Sequence, residues 1–168
     1  MKPIARDAQA GPAGEFAIER YLPFRLSVLA NRFTRAAARV YAQHFRLTAP
    51  EWRTLAVLGR YGPMNANTVV ERTAMDKVRV SRSVARLVAG GLITRRVDAA
   101  DRRRAILELT PQGANTYRQV APLVLAVEDQ ILETMSVEER NQLEHLCRKL
   151  EARSAAMMVD EIETEIAD

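Results

Sequence analysis

The sequence predicts a mainly helical protein that carries one small β-hairpin. Apolar residues recur at helical spacing along most of the 168-residue chain, and two short helical segments meet at a tight turn. Directly after them, two alternating runs of apolar and polar residues flank a charged loop at residues 98–104. The expected architecture is therefore a helix-turn-helix lobe with a hairpin wing and further helices at both ends.

The N-terminal part divides into an arm and two helices. Residues 1–18 are rich in Ala, Gly and Pro, which predicts a poorly ordered arm. Residues 19–46 are expected to form one long helix, because intervals of 3 and 4 separate its apolar residues Leu22, Leu26, Leu29, Phe33, Ala36 and Val40. Thr48 and Glu51 have the spacing of a capping box that begins a second helix, and Gly62-Pro63 ends it.

The helix-turn-helix pair is expected between residues 65 and 91. Asn65 can cap the first helix of the pair, residues 73–75 can form the turn, and Asp76 can cap the second helix. Gly90-Gly91 ends that second helix, since glycine accepts the left-handed conformation common at helix ends. The turn itself contains no glycine, so its sequence alone does not establish the motif.

The remaining elements follow in order. Residues 92–97 and 105–109 alternate as strands do, and Thr110-Pro111 has the residue types of a helix cap and first helical position. Ser136 and Glu139 form a further capping box before the last helix. The expected segments are the lobe at 47–110, two C-terminal helices at 111–158 and an acidic tail at 159–168.

Charge is distributed unevenly along the chain. The net charge is +4 with a pI near 9.6, but residues 71–104 hold ten Lys or Arg against four Asp or Glu. Residues 128–168 hold four against twelve. This asymmetry indicates a polyanion bound at one place. The N-terminus lacks the apolar core of a signal peptide, and no apolar run is long enough to span a membrane, so we expect a cytoplasmic protein without membrane contact.

The basic residues lie where a duplex could be read. The outward side of the second helix of the pair is expected to consist of Lys77, Val78, Arg79, Ser81, Arg82 and Arg86. Cations in a first turn oppose the helix dipole, whereas DNA phosphates and guanine edges would favour them. A solvated charged face is the alternative, but three more arginines follow at the hairpin tip, residues 102–104. A basic helix followed by a basic hairpin favours a winged helix that binds DNA.

The run from Leu47 to Gly113 resembles the MarR family of transcriptional regulators. The matching motifs are Leu47-Thr48-x-x-x-Trp52, Val80-Ser81-Arg82, Gly91-Leu92-Ile93, Asp98-x-x-Asp101-Arg102-Arg103 and Leu109-Thr110-Pro111-x-Gly113. The resemblance extends over about residues 20–155, and Ala99-Ala100 departs from the proline-containing wing turn that is frequent in the family.

The resemblance implies a homodimer on a pseudo-palindromic operator. Helices 19–46 and 111–158 would form the dimer, which agrees with apolar stripes that one small domain cannot bury alone; a large monomeric core is the alternative. In the wing, the resemblance implies that Asp101 braces the hairpin through Arg103, while Arg102 and Arg104 contact DNA.

The resemblance also implies a pocket for a small anionic aromatic effector, or its coenzyme A thioester. Arg32, Arg35 and Arg39 lie at spacings of 3 and 4 and could hold the anionic group, but could equally be solvated or pair with acidic residues of the C-terminal arm. The further candidates are Tyr41, His44 and Trp52.

No constellation indicates catalysis, a cofactor or a metal ion. His44 and His145 are far apart, and Cys147 is the only cysteine and is expected to be a buried thiol. The sequence therefore predicts a DNA-binding regulator, not an enzyme, and favours a repressor released by ligand. The alternatives are a constitutive DNA-binding protein without effector and, from another class, a helical adaptor.

Overall fold

A computed structural model describes residues 16–97 and 105–167, with side chains to residue 157. After a 3-10 turn at Ile18–Arg20, the first helices are α1 (Leu22–Phe45), α2 (Ala49–Tyr61), α3 (Ala66–Thr73) and α4 (Lys77–Ala89). The strands are β1 (Met64–Asn65), β2 (Ile93–Val97) and β3 (Ala105–Leu109), and the last helices are α5 (Pro111–Ile131) and α6 (Val137–Ala167). The prediction of a mainly helical fold with a hairpin wing is confirmed.

The chain divides into two compact units, residues 1–128 and 129–168. The first unit contains the hydrophobic core, which is built around Leu55, Val69, Leu87, Ile93 and Leu107. Each is at most 2% exposed, and together they come from α2, α3, α4 and both long strands. The core therefore fixes the helix-turn-helix pair against the hairpin.

The sheet has three antiparallel strands in the order β1-β3-β2. β2 and β3 pair in register from Ile93 opposite Leu109 to Val97 opposite Ala105. The two residues of β1 pair with Leu107 and Ile106 on the other edge of β3. The sequence did not predict β1, because two residues are too few to show alternation.

Local side chains define the helix starts as predicted. The Glu51 carboxylate accepts a hydrogen bond from the Thr48 N–H at 2.8 Å. Asn65 Oδ1 accepts from the Thr68 N–H at 3.0 Å, and Asp76 Oδ1 accepts from the Arg79 N–H at 2.7 Å. Each contact satisfies a backbone donor that lacks a partner within the helix.

The turn of the helix-turn-helix pair is made without glycine. Ala74 takes the left-handed conformation with φ 51°, which costs an L-residue roughly 1–2 kcal/mol. Thr73 supports the turn, because its hydroxyl donates to the Val69 carbonyl at 2.6 Å. The buried side chain of Met75 follows directly and anchors the turn to the core.

Apolar side chains on α1 remain exposed in the first unit. Leu22, Leu26 and Leu29 are 45–48% exposed, although their spacing predicts a packed helix face. In the second unit, the α6 residues Leu143, Leu146 and Leu150 are 40–49% exposed. The single chain thus leaves both predicted stripes uncovered.

The environment of Cys147 differs from the prediction. Its thiol was expected to be buried, but it is free and exposed on α6. The prediction was wrong for the single chain, because the neighbouring Leu146 and Leu150 are themselves exposed and form no core around it. α6 also continues to Ala167, so helix extends through most of the segment predicted as an acidic tail.

Candidate nucleic-acid interface

One face of α4 is packed and the other is open. Val80, Ser83, Val84 and Leu87 are buried against the lobe. The exposed side carries the predicted residues Lys77, Val78, Arg79, Ser81 and Arg82. Val78 is 58% exposed. An apolar side chain among cations can contact a thymine methyl group in a major groove.

The N-terminal turn of α4 is held by Asp76. The Asp76 carboxylate caps the helix and also lies 3.1 Å from Arg79 Nε, with both side chains more than half exposed. Such an exposed pair contributes at most about 1 kcal/mol, so it leaves Arg79 available to an anion. Asp76 therefore positions Arg79 at the open end of the helix.

Arg86, which was predicted to contact DNA, forms an ion pair with Glu51 in the single chain. Its Nε lies 2.6 Å from Glu51 Oε1, and the Glu51 side chain is only 4% exposed. The Arg86 side chain is 67% exposed and lines an open cavity of about 370 Å³ that also borders Phe45, Leu92 and Gln112. This ion pair could not be predicted from the sequence, because 35 positions separate residues 51 and 86.

The base of the wing carries two further arginines that were not among the predicted DNA contacts. Arg95 and Arg96 lie on β2 and are exposed. Arg96 Nε pairs with Glu108 of β3 at 3.1 Å, which joins the two strands below the tip. The predicted wing residues Asp101, Arg102, Arg103 and Arg104 lie outside the described residues, so their roles remain predictions.

A ladder of three aromatic rings connects α1, α2 and α5. Trp52 stacks on Tyr41 and on Tyr117, each at 6.1 Å between ring centroids. Tyr41 is 1% exposed, and its burial raises the pKa of its hydroxyl while the nearby Arg53 opposes that rise. Tyr41 was predicted to contact an effector, but it lies inside the core, and only the half-buried Trp52 and Tyr117 border the surface.

The arginine ridge of α1 is solvent-facing. Arg32, Arg35 and Arg39 are all exposed, as is His44 near the end of the same helix. Within the described residues of the first unit, none of the three arginines forms an ion pair. The ridge is thus open to an anion.

The described residues offer no metal site. They contain no group of three or more His, Cys, Asp or Glu side chains close enough to share a metal ion. Their helices also include none with the length and apolar character needed to cross a membrane.

Comparison with known proteins identifies the family. A sequence model of the MarR family matches residues 47–104. The transcriptional repressor NicR of Pseudomonas putida is 30% identical over 105 residues, which span 62% of this chain and 66% of NicR.

Two solved structures have the same fold. A MarR/EmrR family regulator from Acinetobacter is 26% identical with a TM-score of 0.76, over 84% of this chain and 99% of that one. Bordetella bronchiseptica BpsR, a DNA-binding protein regulated by 6-hydroxynicotinic acid, is 25% identical with a TM-score of 0.73, over 82% and 98%. The chain belongs to the MarR family of winged helix-turn-helix transcriptional regulators.

Proposed function

We propose that this protein binds a pseudo-palindromic DNA operator as a homodimer and represses transcription until a small anionic aromatic compound releases it. The observation that carries the DNA-binding part is the open face of α4. Lys77, Arg79 and Arg82 project from its N-terminal half, while the opposite face is locked into the core. A major groove admits one helix, which reads bases mainly through its N-terminal residues.

Arg82 is the residue we expect to read a base. It lies one turn into α4, is exposed, and forms no ion pair with a described residue. An arginine can donate two hydrogen bonds to guanine, and one such contact discriminates by about 1–3 kcal/mol. Arg79 and Lys77 are better placed for phosphates, since Arg79 is already oriented by Asp76.

Selection of bound duplexes from a random library tests this proposal. We expect two half-sites about 10 base pairs apart, and Arg82→Ala should relax the preference at one base pair in each half-site. Arg118→Ala is the matched control, because Arg118 is also exposed but lies on α5. An unchanged sequence preference in Arg82→Ala would show that other residues read the bases. If the wild type shows no salt-dependent duplex binding, a helical adaptor is favoured instead.

The homodimer is supported by the uncovered leucines of α1 and α6. Six leucines that are each 40–49% exposed are too many apolar side chains for a free surface of a soluble helix. A second copy of the chain would cover them with identical stripes, as symmetric dimers do. Light scattering at micromolar concentration should therefore give the mass of a dimer, and a monomer would contradict the proposal.

Release by an aromatic acid is supported by the regulation of BpsR by 6-hydroxynicotinic acid and by the open arginines of α1. If Arg35 or Arg39 holds the anionic group, its replacement by alanine should leave operator binding intact and blunt release by the ligand. Operator binding measured with 6-hydroxynicotinic acid, phenolic acids and their coenzyme A thioesters tests this. Equal release of the wild type and both variants would exclude the ridge, and no release by any compound would favour a constitutive DNA-binding protein.

A further inference from the structure

The ion pair between Glu51 and Arg86 joins two helices of the lobe. It is the only such pair between helices α2, α3 and α4 among the described residues. Glu51 lies in the first turn of α2, and Arg86 lies in the last turn of α4. Arg86 is also four positions after Arg82, so it occupies the border between the buried and the open face of α4.

The two partners differ sharply in exposure. Glu51 is 3% exposed, and one of its oxygens accepts from the Thr48 N–H. The other oxygen, Oε1, is buried and has Arg86 Nε at 2.6 Å, in a geometry that does not make a linear hydrogen bond. Among the described residues, that oxygen has no hydrogen-bond partner and Arg86 is the only counterion of Glu51.

Arg86, in contrast, is exposed enough to pair with another anion. Two thirds of its side chain is exposed at the rim of the open cavity, and it shares the side of α4 on which Arg82 lies. An exposed arginine beside a duplex can pair with a phosphate. If Arg86 left Glu51, the buried carboxylate would have no counterion. This loss costs more free energy than one exposed phosphate contact contributes.

We propose that Glu51 is a positioning residue that withholds Arg86 from DNA and ties the recognition helix to α2. This inference rests on the proposed function only in naming DNA as the competing anion. Base reading is thereby confined to the N-terminal half of α4, and the protein gives up one phosphate contact in each protomer. The number of counterions released on binding is correspondingly lower than the charge of α4 suggests.

Salt titrations of duplex binding test the proposal. Each phosphate contact steepens the plot of log affinity against log salt by about 0.9. Arg86→Ala should leave the wild-type slope unchanged, whereas Lys77→Ala or Arg79→Ala shows the loss expected of a cation that contacts a phosphate. If Arg86→Ala flattens the slope as much as these variants do, Arg86 contacts phosphate and the proposal is wrong.

Glu51→Gln provides the opposite test. The amide keeps an acceptor for the Thr48 N–H but is neutral, so a phosphate can compete for Arg86. The slope should steepen by about 0.9 for each protomer, equivalent to about a 3.5-fold larger loss of affinity between 50 and 200 mM salt. The double variant Glu51→Gln with Arg86→Ala should return to the slope of Arg86→Ala. If Glu51→Gln damaged the fold, DNA binding would be weaker, but the salt slope would not steepen, because no further cation would contact the duplex.

A folded Glu51→Gln protein with an unchanged slope would overturn the withholding role. Its folding is checked by its thermal transition, and if it does not fold, the slopes of Arg86→Ala and Lys77→Ala alone decide. Failure of the proposed function has a different signature, since the wild type would then bind no duplex. In that event, a double-mutant cycle of urea unfolding must still show coupling between residues 51 and 86, and its absence would reject the tie between the helices.

Discussion

Gly113 should be irreplaceable because the first turn of α5 lies directly on the beginning of the hairpin. A Cβ atom at this position would lie 1.9 Å from the Leu92 carbonyl oxygen and 2.9 Å from its carbon. Non-bonded heavy atoms are most stable at about 3.5–4.0 Å, so the backbone must move by more than an ångström. The residue at risk is the glycine that ends the Leu109-Thr110-Pro111-x-Gly113 motif.

The surrounding hydrogen bonds resist that movement. The Leu92 carbonyl accepts from the Thr110 N–H at 3.1 Å and also from its hydroxyl at 3.2 Å. The same hydroxyl accepts from the Gly113 N–H at 3.0 Å. Because the clash is with backbone and not with the end of a side chain, Gly113→Ala should cost about 3 kcal/mol or more, the upper part of the range for overpacking.

Urea unfolding followed by circular dichroism measures this effect. With an m-value of about 2–3 kcal/mol/M, the midpoint should fall by about 1 M or more. Protein concentration must be matched, since association of subunits adds to apparent stability. Gly90→Ala is the control: its φ of −80° suits alanine, and the nearest contact of its Cβ would be 3.3 Å. If both variants unfold within about 1 kcal/mol of the wild type, the proposed close packing at Gly113 is wrong.

Two further predictions concern the core and the wing. Burial raises the pKa of the Tyr41 hydroxyl above the ordinary tyrosine value of about 10, so above that pH the unfolded chain ionises first and stability falls as pH rises towards the folded pKa. Tyr41→Phe should show a smaller fall in urea midpoint above pH 10, and equal falls would contradict this reading. Asp101→Ala should weaken operator binding although it removes an acid, if Asp101 braces the wing through Arg103 as the family resemblance implies; tighter binding at every salt concentration would reject the brace.

The helix boundaries could be predicted because their causes are local. Asn65 and Asp76 each accept a hydrogen bond from an N–H three residues later, so the sequence contains both partners. The same holds for Ser136, which exchanges hydrogen bonds with Glu139. The open face of α4 follows from its 3.6-residue period once the apolar positions are known.

The features that the sequence did not reveal depend on distant contacts. Gly59 is an example: a Cβ there would lie 2.6 Å from the Tyr117 ring, yet residue 59 looks like an ordinary helix position. The exposure of Cys147 depends on whether a second chain covers α6, which no periodicity specifies. The burial of Tyr41 within the aromatic ladder likewise required the path of α5 to be known.

The Glu51 side chain has both a local role, which the sequence predicts, and a long-range role, which it does not. As the fourth residue of Thr48-x-x-Glu51 it is a local helix cap, and this role could be predicted from four consecutive letters. Loss of such a cap costs about 0.5–2 kcal/mol. As the counterion of Arg86, Glu51 also has a long-range role that the capping motif does not predict. Because Arg86 is two thirds exposed, water screens the ion pair, and breaking it costs less than the roughly 3–5 kcal/mol of a fully buried pair.

The two roles of Glu51 can be separated by substitution. Glutamine retains the capping acceptor and removes the charge, whereas alanine removes both. Stability should therefore fall in the order wild type, Glu51→Gln, Glu51→Ala, while the salt slope of DNA binding should steepen in both variants. A helix cap alone would change stability without adding a phosphate contact, so a steeper slope in a less stable protein is the result that only the withheld arginine explains.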